Sequence, residues 1–246
     1  MTFLILGALL SVQDPAQAME AREFQGAGGG KLLYRLYRPK EAEAGKKLPL
    51  LLFLHGAGER GNDNRKQLKN CVANLLKVLS ANPCFLVAPQ CPDGKRWVEV
   101  HWGDPRHDTP EKPSDPMGLT IELLAALQKE LPVDAKRVYV TGLSMGGFGT
   151  WDVLVRCPDL FAAAIPVCGG GDDRRAAGIA KVPQWIFHGD KDTAVPTARS
   201  RNMVEALKKA GGSPKYTEYP GVGHNCWDKA YAEAELFPWL FSQKRP

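Results

Sequence analysis

Short apolar runs and longer amphipathic segments alternate along most of the chain. The run at residues 48–54 is continuously apolar, which is typical of a strand buried on both faces of a sheet. By contrast, residues 119–131 carry apolar side chains at helical spacing. By these criteria the pattern predicts strands at 31–37, 48–54, 84–89, 138–141, 161–167, 182–187 and 215–219, and helices at 65–79, 119–131, 148–156, 197–210 and 227–243 with a break at Pro238. This alternation predicts an α/β fold with a mostly parallel central sheet and helices on both faces, a three-layer sandwich.

The length and composition fit one globular domain. The chain has 246 residues, of which 44% are hydrophobic, and this is enough for one well-buried core. The formal net charge of +5 comes from Lys and Arg residues scattered along the chain without a basic run. The charge pattern therefore predicts a solvated surface and argues against nucleic-acid binding.

The N-terminus has the pattern of an export signal. Residues 3–10 form an apolar core, and Ala16-Gln17-Ala18 matches a small-x-small cleavage site. The apolar run is too short to span a bilayer. No Lys or Arg precedes it, which departs from the usual signal pattern. We expect a signal peptide at 1–18, a single catalytic domain at 19–246, and an exported protein.

Six cysteines leave two alternatives open. They are Cys71, Cys84, Cys91, Cys157, Cys168 and Cys226. None of them forms a C-x-x-C pair, and no Cys/His spacing suggests a metal site. Several lie within apolar segments, where free buried thiols are the simpler expectation. One or two disulfides after export are the alternative.

A glycine-bracketed serine follows the strand predicted at 138–141. The pattern Gly142-x-Ser144-x-Gly146 stands between this strand and the helix at 148–156, which is the context of a nucleophile elbow. A strand that turns into a helix at one residue strains that residue and needs small neighbours. We therefore expect Ser144 to be a nucleophile, with the Met145 amide pointing to where an oxyanion would form.

A second glycine-rich loop follows the strand at 48–54. Residues 55–61 read His-Gly-Ala-Gly-Glu-Arg-Gly and precede a predicted helix. Leaving the strand through Gly56 would turn the backbone amide of Ala57 towards the serine, where it would be the second oxyanion donor. The alternative is an ordinary β-to-α turn in which the glycines serve only the geometry.

A serine hydroxyl needs a base, and that base needs an acid partner. Among five histidines, His224 is the only one that follows both the serine and a plausible acid, in a glycine-flanked loop. The order serine, acid, histidine is that of α/β hydrolases. The acid is Asp190 or Asp192, which share one loop after the strand at 182–187. Position in the sequence does not separate them.

A long irregular region at 90–116 contains Trp97, His101 and Trp102. A loop of this length inside a compact domain is usually functional or mobile, and it leaves the sheet on the ligand-binding side. Its aromatic residues either line a substrate pocket or anchor the loop as a small satellite core. Trp97, Trp102 and Trp227 are the candidate substrate-binding residues.

Four motifs in this order resemble those of α/β-hydrolase-fold serine esterases. They are the run 54–61, the run 141–147, His188-Gly189-x-x-Asp192-x-x-Val195-Pro196 and Gly223-His224. The chain is most similar to small bacterial dienelactone-hydrolase and phospholipase/carboxylesterase enzymes, and to exported feruloyl esterases and polyhydroxybutyrate depolymerases. The resemblance covers about residues 48–240. It implies that Asp192 is the acid and that Ala57 and Met145 supply the oxyanion donors.

The expected activity is carboxylic-ester hydrolysis through an acyl-enzyme, without a metal or organic cofactor. Inferred export and the tryptophan-bearing loop suggest small-molecule or polymer-linked esters with short acyl chains or plant-wall phenolics. The alternatives are a peptidase that uses the same triad and a binding protein with an inactive site. The oligomeric state cannot be read from the sequence.

Overall fold

The structure, a computed structural model, describes residues 14–246. The apolar segment 3–10 of the expected signal peptide lies outside the described residues. Across residues 14–246, no helix is both long and apolar enough to cross a bilayer.

Within residues 14–246, eight strands form one sheet in the order β1-β2-β4-β3-β5-β6-β7-β8. All neighbouring pairs from β4 to β8 are parallel, whereas β2 runs antiparallel to both β1 and β4. The mostly parallel sheet is thus confirmed. The strands are β1 (Glu20–Gln25), β2 (Lys31–Tyr37), β3 (Leu48–Leu54), β4 (Phe85–Pro89), β5 (Val133–Leu143), β6 (Ala163–Val167), β7 (Trp185–Gly189) and β8 (Lys215–Tyr219).

Helices connect most of the parallel strands. Short 3-10 turns supplement them, and one of these, Ala57–Glu59, lies in the loop after β3. The α-helices are α1 (Pro15–Ala18), α2 (Val72–Ala81), α3 (Asp115–Glu130), α4 (Met145–Arg156), α5 (Ala176–Ile179), α6 (Ala198–Lys209), α7 (Trp227–Tyr231) and α8 (Leu236–Ser242).

Two hydrophobic cores, one on each face of the sheet, make the fold a three-layer sandwich. In β3, Leu50, Leu52 and Leu54 pack into one core with α3, α4, α5 and α6. Leu51 and Phe53 pack into the other core with α2, α7 and α8. Because side chains alternate across a strand, a strand covered on both faces must be apolar at every position. All seven residues of β3 are buried, as the continuous apolar run predicts.

The first strand was not predicted. β1 reads Glu-Ala-Arg-Glu-Phe-Gln and has no buried residue. Among the strands of the described residues, it lies at the edge of the sheet and pairs with β2 alone. An edge strand with one neighbour and little buried surface leaves almost no apolar pattern in the sequence.

Two of the predicted helices have different bounds in the structure, one next to a residue with a left-handed backbone and one around a proline. The helix expected at 65–79 begins only at α2, because Cys71 adopts a left-handed conformation (φ 66°) immediately before it. The helical region expected at 227–243 is interrupted at residues 232–235, and Pro238 lies inside the first turn of α8. A proline there removes an amide that has no partner within the helix in any case, so it does not break the helix.

All six cysteines are free thiols. Five are buried, and Cys157 is half-buried. Burial raises the pKa of the Cys91 thiol to about 12, so this sulfur stays protonated and inert. In this structure the six thiols are unpaired, which agrees with the alternative of free thiols.

Candidate active site

Ser144 stands at the sharp turn between β5 and α4. It has φ 54° and ψ −119°, a strained conformation for a residue with a side chain. A Cβ atom on Gly142 would lie 2.3 Å from the Gly146 carbonyl oxygen, and one on Gly146 would lie 1.9 Å from the Leu54 carbonyl oxygen. Only glycine fits at either position. The Ser144 amide donates to the Val167 carbonyl oxygen at 2.9 Å, which ties the turn to β6.

The side chain of His224 contacts that of Ser144 across 80 residues of sequence. The imidazole Nε2 lies 2.8 Å from Ser144 Oγ, and Nδ1 lies 2.7 Å from Asp192 Oδ2. A carboxylate only accepts, so Nδ1 carries the proton and Nε2 is free to accept the serine O–H. The three side chains therefore form one continuous hydrogen-bonded chain. About a quarter of the His224 side chain is exposed, so the chain opens to solvent at the histidine.

Four N–H groups hold the carboxylate of Asp192, whose side chain is fully buried. Oδ1 accepts the amides of Ala194 at 2.8 Å and Val195 at 2.9 Å. Oδ2 accepts His224 and also Nε2 of His188 at 3.0 Å. Burial alone would raise the pKa of this carboxyl group, but the hydrogen bonds from the two histidines and Val195 outweigh it and hold the pKa well below its usual range. Asp192 is thus an ionised partner for the imidazole.

The structure separates the two acid candidates that the sequence left open. Asp190 Oδ1 accepts the amide of Gly221 at 2.7 Å, and Gly221 has a left-handed φ of 72°. Asp190 therefore joins the loop after β7 to the loop that carries His224. Asp192, two residues later, makes the contact with the imidazole.

Two backbone amides have the character expected of oxyanion donors. Ala57 is the first residue of the 3-10 turn after β3, and Met145 is the first residue of α4. Neither amide is hydrogen-bonded to an acceptor within residues 14–246. Amides at the start of a helix lack an internal partner, and the helix dipole adds positive potential there. Both amides are available to an anionic oxygen.

His55 braces the loop that carries Ala57, a role that sequence reasoning missed. Its Nε2 accepts the Cys91 amide at 2.9 Å, so Nδ1 carries the proton and donates to the Gly56 carbonyl oxygen at 2.6 Å. Burial lowers the pKa of His55 to about 4, which keeps the ring neutral. The signal was a histidine that directly follows a fully apolar strand, where a charged ring would be costly.

Trp97 belongs to the same brace and not to a substrate pocket. Its exposed fraction is zero, and its Nε1 donates to the His55 carbonyl oxygen at 3.0 Å. A ring with no exposed surface cannot contact a substrate. The expectation that Trp97 binds substrate is therefore corrected: of the two alternatives for this residue, anchoring the loop is the one that fits.

The other aromatic candidates lie in three different environments. Trp102 is half-buried against the core, with the Arg96 guanidinium 4.7 Å from its ring centroid. His101 is exposed beside Asp104. Trp227 is half-buried and meets the His224 ring edge-to-face, with the ring centroids 5.7 Å apart. Trp227 therefore contacts His224 directly.

Comparisons with known proteins agree with this architecture. Residues 40–237 match the sequence profile of the family described as phospholipase/carboxylesterase. A solved structure of a thermostable esterase is 38% identical with a TM-score of 0.87, and the match covers 93% of this chain and 64% of that one.

Two curated relatives are more distant. A poly(3-hydroxyalkanoate) depolymerase C of Paucimonas lemoignei is 28% identical over 71% of this chain and 45% of its own length. An uncharacterized secreted protein of Arthroderma benhamiae is 25% identical over 80% of this chain. Both relatives are longer proteins, and this chain spans only 24% of the length of the Arthroderma benhamiae protein.

The matched residues contain β3, the serine turn after β5 and the loops that carry Asp192 and His224. The predicted resemblance to serine esterases and the predicted α/β-hydrolase fold are both confirmed. The chain belongs to the phospholipase/carboxylesterase family of α/β hydrolases.

Proposed function

We propose that this hydrolase cleaves carboxylic esters through an acyl-enzyme on Ser144, with His224 as base and Asp192 as its acid partner. The observation that carries the proposal is the unbroken hydrogen-bonded chain from Ser144 Oγ through His224 to Asp192 Oδ2, with links of 2.8 and 2.7 Å. A hydroxyl, a neutral imidazole and an ionised carboxylate in this order are what a serine nucleophile requires.

The reaction follows from the protonation states of the three side chains. His224 Nε2 takes the hydroxyl proton as Ser144 Oγ attacks the ester carbonyl carbon. Asp192 stabilises the imidazolium that results. When the tetrahedral intermediate collapses, the C–O bond to the alcohol breaks and His224 returns the proton to the leaving oxygen. Water then attacks the acyl-enzyme in the same manner and releases the acid.

The developing oxyanion is bound by the amides of Ala57 and Met145. The support for these roles is that both amides open a helical turn and have no acceptor in the described part of the chain. One such donor typically contributes about 3 kcal/mol to the stability of the transition state. The brace formed by His55 and Trp97 holds the first of the two donors in position.

The proposed substrates are esters with short acyl chains or phenolic acids, free or linked to a polymer. The half-buried Trp227 beside His224 offers an aromatic surface at the edge of the triad. The relative named as a poly(3-hydroxyalkanoate) depolymerase supports an ester of a short acid within a polymer.

Rates on p-nitrophenyl acetate, butyrate and octanoate and on methyl feruloate test the proposal, with Ser144→Ala as the control. We expect the highest kcat/KM on acetate, butyrate or feruloate and a loss of nearly all activity in the Ser144→Ala protein. An optimum at octanoate would contradict the substrate class. Ester hydrolysis by Ser144→Ala at the wild-type rate would contradict the mechanism.

The two rival functions predict other results in the same assays. A peptidase would cleave aminoacyl p-nitroanilides about as well as esters. A binding protein with an inactive site would leave Ser144 unlabelled by a fluorophosphonate. We expect stoichiometric labelling at Ser144 and only slow anilide cleavage, because an amine is a poorer leaving group than an alcohol.

The proposed location is outside the cytoplasm. The support is the apolar segment 3–10 with its small-x-small site at Ala16-Gln17-Ala18, together with a relative named as secreted. Expression of the full chain followed by mass measurement of the exported protein tests this. We expect a mature N-terminus at Met19; an exported protein that retains Met1 would contradict the signal peptide.

A further inference from the structure

His188 is a completely buried histidine directly behind the proposed catalytic acid. It is in β7, four residues before Asp192, and its exposed fraction is zero. Its Nε2 lies 3.0 Å from Asp192 Oδ2 and 3.1 Å from the Val195 carbonyl oxygen, and its Nδ1 lies 2.7 Å from Ser200 Oγ. Every polar atom of the ring thus has a partner.

These partners determine which ring nitrogen carries the proton. Ionised Asp192 and the Val195 carbonyl group can only accept hydrogen bonds, so Nε2 must be the protonated nitrogen of His188. Nδ1, on the other side of the ring, is paired with the hydroxyl group of Ser200, a residue of α6. The ring is held from both sides, by the loop after its own strand and by the helix that packs on it.

The consequence is that one carboxylate oxygen serves two imidazoles. Asp192 Oδ2 accepts Nε2–H of His188 and Nδ1–H of His224, while Oδ1 is held by two backbone amides. Rotation of the carboxylate about its last bond would pull Oδ2 away from both rings. His188 therefore opposes any rotation that would lengthen the 2.7 Å contact with His224.

We propose that His188 is a positioning residue, whose Nε2–H orients the carboxylate of Asp192 towards His224, and that Ser200 in turn orients His188. This inference rests on the proposed function of Ser144, Asp192 and His224. His188 does not touch the reacting atoms and exchanges no proton during the reaction. Its effect is to keep the imidazole of His224 aligned with the serine.

Two substitutions of His188 by an amide side chain distinguish a positioning role from a merely structural one. In His188→Gln the amide nitrogen reaches about where Nε2 was and can still donate to Asp192. In His188→Asn the amide nitrogen lies nearer the former Nδ1 and reaches Ser200 instead. Both variants bury one amide in place of one imidazole, so a merely structural role would lower kcat only in step with the loss of stability in each variant.

The expected difference lies in kcat on p-nitrophenyl acetate. For His188→Asn we expect kcat about 10- to 100-fold lower with KM unchanged, the range found when an outer hydrogen bond that orients a functional ligand is removed. The His188→Gln variant keeps the hydrogen bond to Asp192 and loses the one to Ser200. We expect its kcat within about fivefold of wild type, because the loss of one hydrogen bond of ordinary strength corresponds to about that factor. The low-field proton resonance of the His224–Asp192 hydrogen bond should persist in His188→Gln and broaden or shift in His188→Asn.

Equal kcat in the two variants, or losses that follow their melting temperatures, would overturn the proposal. If neither variant folds, Ser200→Ala removes only the distal anchor of the ring, and we expect a kcat about fivefold lower with KM unchanged; a wild-type kcat there would overturn it instead. The Ser144→Ala variant, measured in parallel, distinguishes failure of the proposed function from failure of the positioning role. Full activity of Ser144→Ala defeats the proposed function, whereas an inactive Ser144→Ala with a fully active His188→Asn defeats only the positioning role.

Discussion

Replacement of Gly146 by alanine tests the close approach on which the serine turn depends. The added Cβ atom would lie 1.9 Å from the Leu54 carbonyl oxygen, 2.5 Å from its carbon and 2.9 Å from the His55 carbonyl oxygen. All three are backbone atoms, so no side chain can rotate away to relieve the overlap. Because Cβ atoms essentially never lie within 3.0 Å of such atoms, the end of β3 and the start of α4 must separate by about 1 Å.

The structure indicates what this displacement costs. The end of β3 continues directly into His55, Gly56 and Ala57, so the shift moves the Ala57 amide, a proposed oxyanion donor, away from Ser144. A misplacement of about 1 Å can lower a rate about 100-fold, and overpacking a tight site costs about 1–3 kcal/mol of stability. For Gly146→Ala we expect kcat/KM about 100-fold lower and a free energy of unfolding about 1–3 kcal/mol lower.

The assay compares ester hydrolysis and urea unfolding in two glycine-to-alanine variants. Gly178→Ala is the matched control, because it lies in α5 and its added Cβ would have no heavy atom within 4 Å. Alanine is a better helix former than glycine by up to about 1 kcal/mol, so this variant should be slightly more stable and fully active. A Gly146→Ala protein with wild-type kcat/KM and an unchanged unfolding midpoint would refute the steric argument.

Three further predictions address the acid, the buried histidine and the buried tryptophan. Asp192→Asn should lower kcat by a factor on the order of 10⁴, the loss seen when a triad acid is neutralised, and Asp190→Asn should cost far less because Asp190 only accepts a loop amide; equal losses would refute this assignment. The unfolded chain protonates His55 near pH 6.5, whereas the folded chain does so only at about 4. The free energy of unfolding should therefore fall by about 3 kcal/mol as the pH drops through this window. Urea unfolding at about pH 7 and about pH 4 measures this fall, which should be smaller in the His55→Asn variant than in the wild type. An equal fall in the two proteins would contradict the assignment. Trp97→Ala should reduce the free energy of unfolding, measured by urea denaturation, by about 3–5 kcal/mol. KM for p-nitrophenyl acetate should stay unchanged. A raised KM with full stability would show that Trp97 binds substrate.

Several elements could be predicted to the residue because their environment is written into the local pattern. The strands Lys31–Tyr37, Leu48–Leu54 and Lys215–Tyr219 have the predicted bounds. A strand covered on both faces needs apolar side chains throughout, and a strand with one open face needs alternation. The edge strand β1 has neither pattern, and it was missed for that reason.

The candidate site was predictable where the chemistry needs neighbours in sequence. Gly142, Ser144 and Gly146 belong to one tight turn, so the backbone strain and the small residues that permit it stand side by side in the chain. The alternation of strands and helices also indicated that the loops after the parallel strands would share one edge of the sheet. The serine, the histidine and the acid loop could therefore be named together.

The sequence by itself determined the α/β layers, the family and the motifs of the serine turn, because these depend on local burial and on spacing within a few residues. Only the tertiary structure decided that Asp192 contacts the imidazole while Asp190 holds a loop, that Trp97 is fully buried, and that His188 stands behind the acid. Each of these depends on which side chains meet across neighbouring strands and loops. Strand order and register determine such contacts, and residues 4 to 80 positions apart in the chain come together only once the sheet has formed.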